Sequence, residues 1–211
     1  RTLLALLALY LGAGPVWPES APPPVGVLYV GLKTDAESMD PYFVYHPSGF
    51  AVMEALFDSL VMADWDGRIV PHLAAAWEVE SDTSIVFVLR DDVLFHNGEP
   101  FDAASVKYSI ERVLNEELQS GLRPRFAAVE AVEIIDQRTV RLRLSHVDSS
   151  LLWNLSVLAM LPAQYGQQVG AAGLARAPVG TGPFRFLQWV RDDHIALAAN
   201  PDYFSGGVKG R

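Results

Sequence analysis

The chain has 211 residues, half of them hydrophobic, with 25 acidic side chains against 16 Lys and Arg, a formal net charge of −9 and no cysteine. That length buries one sizeable core or two small ones. An acidic chain without a Lys/Arg block is a poor match for phosphate backbones, which argues against nucleic acid as a partner, and the missing thiols exclude disulfides, thiolate zinc sites and cysteine nucleophiles.

The chain opens on Arg1 and an apolar run over residues 3–11, followed by small residues and Pro15, Pro18, Pro22, Pro23 and Pro24. The run is short for a bilayer span and has the length of a signal-peptide core, so residues 1–24 read as an export signal with a Pro-rich spacer rather than a buried helix. A lipid-anchored signal needs a terminal cysteine, and none exists here. The expectation is a soluble, periplasmic protein whose folded unit occupies residues 25–211.

Residues 25–33, VGVLYVGLK, are rich in β-branched and aromatic side chains and predict a buried first strand. Beyond a polar loop, Phe50, Met53, Leu56, Phe57 and Leu60 fall near helical spacing, with Ser48 as the expected cap. Asp64-Trp65-Asp66-Gly67 predicts a hairpin turn, and residues 71–76 a short helical turn begun by Pro71. Two strands follow, at residues 77–79 and 85–89. Asp102 stands at a helix N-cap, with Val106, Ile110 and Val113 at i, i+4 and i+7 behind it. A hairpin over residues 132–144 turns at Gln137-Arg138-Thr139, and its return strand alternates apolar and basic residues. Ser149 or Ser150 caps a helical segment running to Pro162, a Gly/Ala-rich stretch covers residues 170–177, and a last hairpin turns at Arg191-Asp192-Asp193. Mixed strands and helices in this order predict an α/β or α+β lobe.

One stretch invites a chemical reading. FHNGEPFD gathers His96, Glu99 and Asp102 within seven positions. Asn97-Gly98 is a turn signal, however, Asp102 is explained as a cap, and nothing nearby suggests the desolvation an acid–base pair needs. The five histidines have no i, i+3 or i, i+4 pairing, so no metal site is expected. Gly180-Thr181-Gly182-Pro183 leads into a strand rather than a helix and is no phosphate loop. Neither an enzyme site nor a cofactor site is expected. What remains is the aromatic loop Met39-Asp40-Pro41-Tyr42-Phe43-Val44-Tyr45. If it leaves the carboxyl end of the first strand, it is a candidate ligand face, with Tyr42 and Tyr45 favoured because their hydroxyls want partners. Trp153 and Met160 read as core.

Together the motifs resemble one family. ESMDPYF, the LR-x-x-V-x-FH-x-G-x-PF pattern of residues 89–101, GTGPF and NPDYF follow the order of the extracytoplasmic solute-binding proteins of ABC importers, dipeptide/oligopeptide/nickel type (family 5). The resemblance implies a periplasmic-binding-protein-like (type II) fold, α/β in class, of two hinged lobes, of which this chain would supply only the first. It implies a monomeric receptor that captures peptides through their backbones and hands them to a membrane permease. A nickel chelate or glutathione is the alternative ligand, and an envelope protein holding unfolded chains the alternative class. It also implies that FHNGEPF is a structural turn and that Met39, Tyr42, Phe43 and Gly182 face the ligand. The groups that pair with a peptide's charged ends would lie in the second lobe, so a lone first lobe is expected to bind weakly.

Overall fold

The computed structural model describes residues 26–206, and the export signal expected at residues 1–24 lies outside them. A single 3-10 turn, Pro41–Phe43, precedes α1 (Pro47–Leu56). The short strands β1 (Val61–Ala63) and β2 (Ile69–Pro71) lead to β3 (Ala74–Ser81) and β4 (Ser84–Leu89). Helix α2 (Ala103–Leu114) is followed by β5 (Val129–Asp136) and β6 (Thr139–Leu144). The helices α3 (Leu151–Leu155) and α4 (Ala163–Leu174) then precede the hairpin of β7 (Phe184–Val190) and β8 (His194–Ala199).

Sequence dictates the central layer. β3, β4, β6 and β5 pair antiparallel in that order. Val140, Leu142 and Leu144 alternate with Arg141 and Arg143, and the apolar set is buried. Phe87 and Leu89 of β4 point to the same core. On the wet face Arg141 holds Glu80 and Glu133, an exposed ladder that solvent screening leaves with little net effect on stability. α2 closes the core. Asp102 accepts from the Ser105 amide as its N-cap, and Val106, Ile110 and Val113 are fully buried, each stabilising by roughly 1.5–3 kcal/mol. The turn signals also hold: Gly67 and Gly98 take φ of +76° and +88°, and the last hairpin turns at Asp192.

Four expectations fail. Residues 26–33 form no strand, and Leu28 is 83% exposed. β-rich composition needs a ladder partner, and among the described residues no strand pairs with this segment. The loop before Pro41 therefore does not leave a strand end. Residues 71–76 are not helical, because Ala74 N–H donates to Leu60 and Arg90 N–H to Leu73, a sheet ladder that overrides alanine's helix propensity. α1 starts at Pro47 rather than behind a Ser48 cap, and Phe50 is turned to solvent. The segment expected to be helical up to Pro162 stops at Leu155, after which Met160 N–H donates to the Asp58 carbonyl in extended geometry. Conversely, α4 begins at Ala163 and runs into the stretch at residues 170–177 read only as Gly/Ala-rich, with Gly170 at φ +62° marking a kink.

Candidate functional site

The side chains of His96, Glu99 and Asp102 each take separate partners. His96 Nε2 lies 2.9 Å from the Gly182 carbonyl, and the Gly180 N–H donates to Nδ1 at 3.3 Å, so Nε2 carries the proton. Burial pushes the ring's pKa down, opposed by the Gly182 carbonyl, and the neutral ring matches this bonding. Glu99 instead accepts from the Asn97 side chain and the Tyr165 amide. These are brackets holding FHNGEPF to GTGPF and α4, not a shared reactive centre.

GTGPF has a steric reason for its glycines. A Cβ on Gly180 would sit 2.0 Å from the Leu56 carbonyl oxygen, and one on Gly182 would sit 2.5 Å from the Leu56 carbonyl carbon. Backbone approaches this close admit only glycine. Gly182 N–H donates to Leu56 at 3.0 Å, while its carbonyl takes the Asn200 side chain.

The Asp40–Phe43 turn is anchored from below. Asp40 caps it by accepting from Tyr42 N–H and receives both terminal nitrogens of Arg112, a buried bidentate pair. Met39 and Tyr42 have no accessible surface. The Tyr42 hydroxyl lies 3.0 Å from each of two carbonyl acceptors, Ser109 and Ala159, and the Arg112 guanidinium lies over its ring. Burial drives the Tyr42 pKa far up, so it stays a neutral phenol. Phe43 is half-buried and Tyr45 is exposed, its ring against Gly121. Of the candidates named from sequence, then, Met39 and Tyr42 carry the loop while Phe43 reaches its surface. Gly182 belongs to a different contact, and among the described residues no hydrogen bond joins it to this turn. Trp153 is 52% exposed, against the core role expected of it, whereas Met160 is buried.

Sequence reading misses a polar cluster. Asp58, 5% exposed, accepts from Thr181 Oγ1 at 2.7 Å and from the Tyr203 hydroxyl at 3.0 Å, with His72 Nε2 at 3.3 Å. Nothing in FDSLV marks that aspartate, since its partners come from three distant segments. A second missed link is Asp35, whose carboxylate accepts from Trp189 Nε1 and the Asp192 amide, tying the loop before Pro41 to the β7–β8 hairpin. Beside that link lies an open groove of about 650 Å³ lined by Arg176, Phe186, Gln188, Trp189 and Arg191. Among the described residues no group of three His, Asp or Glu side chains is placed to hold a metal ion, and no helix is long and apolar enough to cross a membrane. The arrangement offers aromatic surface and fixed backbone groups for non-covalent contact.

Residues 68–210 match the family model "Bacterial extracellular solute-binding proteins, family 5 Middle". A putative ABC transporter peptide-binding protein of Brucella ovis is 29% identical over 98% of this chain and 41% of its own length. Di/tripeptide-binding protein 2 of Pseudomonas aeruginosa is 31% identical over 85% of this chain and 38% of its own length. The crystal structure of NikZ from Campylobacter jejuni in complex with Ni(L-His) superposes with a TM-score of 0.77 at 29% identity, over 83% of this chain and 36% of that one. The chain thus spans about two-fifths of the length of the curated relatives it matches.

Proposed function

This chain belongs to the bacterial extracellular solute-binding proteins of family 5, and on that premise we propose that it is part of a receptor that captures peptides outside the cytoplasm and delivers them to an ABC permease. The observation that carries the reading is the family match over residues 68–210, which contains the bracketed FHNGEPF and GTGPF segments. The peptide class is supported by the Brucella and Pseudomonas relatives, both named for peptide binding. A nickel chelate is the second reading, raised by the likeness to a protein solved with Ni(L-His).

In this reading residues 1–24 direct export to the periplasm, the protein works as a monomer, and it changes no bond in its ligand. The exposed edge of the 39–45 loop, at Phe43 and Tyr45, meets the ligand, with Met39 and Tyr42 setting its shape from beneath and Gly182 holding the neighbouring backbone. Buried Arg112 makes that platform rigid, so little ordering entropy is lost on binding.

The test is calorimetric titration of the protein as the cell makes it with di- and tripeptides, reduced glutathione and Ni(L-His), followed by mass analysis of the recovered ligand. Saturable peptide binding with intact peptide returned is the expected result. Saturation by Ni(L-His) alone moves the assignment to the nickel reading, and cleaved peptide overturns the receptor reading altogether.

A further inference from the structure

We propose that Asp58, His72 and Tyr203 form an acid-sensitive latch that holds the turn at residues 200–204 against the loop following α1. The latch concerns this chain's own conformation and does not depend on which ligand is bound.

Asp58 is the node. Its two oxygens engage Thr181, at the entry to β7, and Tyr203, beyond the exit of β8, together with His72 between β2 and β3. The turn carries further ties. Asn200 N–H donates to the Pro183 carbonyl, Arg185 reaches Asn200 and Asp202, and Phe204 lies between the His72 ring at 5.6 Å and the Arg90 guanidinium at 4.9 Å. Within this cluster His72 alone carries an unanswered group. Its Nδ1 is buried with no hydrogen-bond partner among the described residues, while Nε2 faces Asp58. A neutral ring with its proton on Nε2, toward Asp58, leaves an unprotonated Nδ1 there. Protonation would put an N–H at that position, where the Ser59 backbone favours the charge yet no hydrogen bond of full geometry exists among the described residues, and a poorly met buried donor is costly.

The charged and titratable groups around the ring divide. Burial disfavours the imidazolium and Arg90 repels it, whereas Asp58 and the Ser59 backbone favour it. Arg90 is itself held by Asp92, and Tyr203 stays protonated because burial and Asp58 both raise its pKa. His96 is bonded to Gly182, whose carbonyl also takes Asn200. The balance lowers the His72 pKa below its ordinary value, so burial outweighs the aspartate. A released turn frees the ring to protonate. Acid therefore favours release.

Amide hydrogen exchange at Asn200, Tyr203 and Gly206, corrected for intrinsic rate, reads the latch directly, beside an NMR titration of His72. As pH falls from about 6.5 to the folded-state pKa of His72, opening of these three amides should rise by up to about tenfold per pH unit and then level off. His72→Gln cannot protonate yet can still donate to Asp58, so it should keep the protection seen at neutral pH and lose most of its pH dependence. Asp58→Asn should open the turn at every pH while the α2 amides stay protected. The latch is overturned if His72 titrates at or above its ordinary value, if wild-type protection is unchanged across that window, or if His72→Gln keeps the full pH dependence, which would assign it to His96.

Discussion

Arg112 delivers both terminal nitrogens to the two carboxylate oxygens of Asp40, across 72 positions of chain and with almost no solvent access to either group. The same guanidinium stacks at 4.8 Å on the Tyr42 ring. One helix residue thus holds the whole DPYF turn. Removing one member strands the other as a buried charge, so Asp40→Ala should lower stability by about 3–5 kcal/mol in urea unfolding. An apolar pair of similar volume, Asp40→Leu with Arg112→Met, should recover most of that loss. If Asp40→Ala cost no more than a surface substitution, the pair would not be the anchor.

Gly182→Ala tests the close approach of GTGPF to α1. The new methyl meets the Leu56 carbonyl, which is backbone and cannot rotate away. Overpacking of this kind costs about 1–3 kcal/mol. Gly98→Ala, by contrast, meets no neighbour and bears only the strain of its positive φ. Chemical denaturation of both variants should rank Gly182→Ala as the more damaging.

The cap on α2 gives a smaller, cleaner number. Asp102 accepts from the Ser105 amide at 2.9 Å and from its hydroxyl at 3.0 Å. Asp102→Ala should cost about 1 kcal/mol, and Asp102→Asn only part of it, because asparagine also caps. A loss well beyond about 2 kcal/mol would mean a role beyond capping.

His96 predicts a pH response of known sign. Burial holds its folded-state pKa below the ordinary 6.5, so between those two values the unfolded chain binds more protons. Stability therefore rises with pH across that window, by at most about 1.4 kcal/mol per pH unit for this one group, and is flat above it. Urea midpoints from about pH 7.5 down to about pH 5 should fall in wild type and fall less steeply in His96→Gln. An increase in stability on acidification would contradict the buried neutral ring.

Much of the fold is legible along the chain because it is local. The β5–β6 hairpin follows from alternation, since Val140, Leu142 and Leu144 must share one face of a pleated strand. The Asp102 cap and the buried ridge of Val106, Ile110 and Val113 follow because a helix repeats every 3.6 residues. Turn chemistry locates Asn97-Gly98 and Asp66-Gly67, since a positive φ selects glycine. Local grounds also suffice to set aside His96, Glu99 and Asp102 as a catalytic group, and their separate partners agree.

The tertiary structure decided what depends on distant neighbours. Residues 26–33 have the composition of a strand, but among the described residues no strand lies beside them, and a ladder requires a second chain segment. Residues 71–76 favour helix in isolation and yield to a ladder supplied by Leu60, Leu73 and Arg90. The Tyr42 hydroxyl wants a partner, which in sequence suggests a ligand, yet the fold supplies two carbonyls from inside. Asp58 carries no local signal at all, because its meaning comes from Thr181, His72 and Tyr203 arriving at one carboxylate. By itself the sequence determined the β5–β6 hairpin, helix α2 with its Asp102 cap, the glycine turns, and the motif order that marks the family. Which polar side chains became buried anchors, and which aromatic rings stayed at the surface, was left to packing, where long-range contacts outweigh local preference.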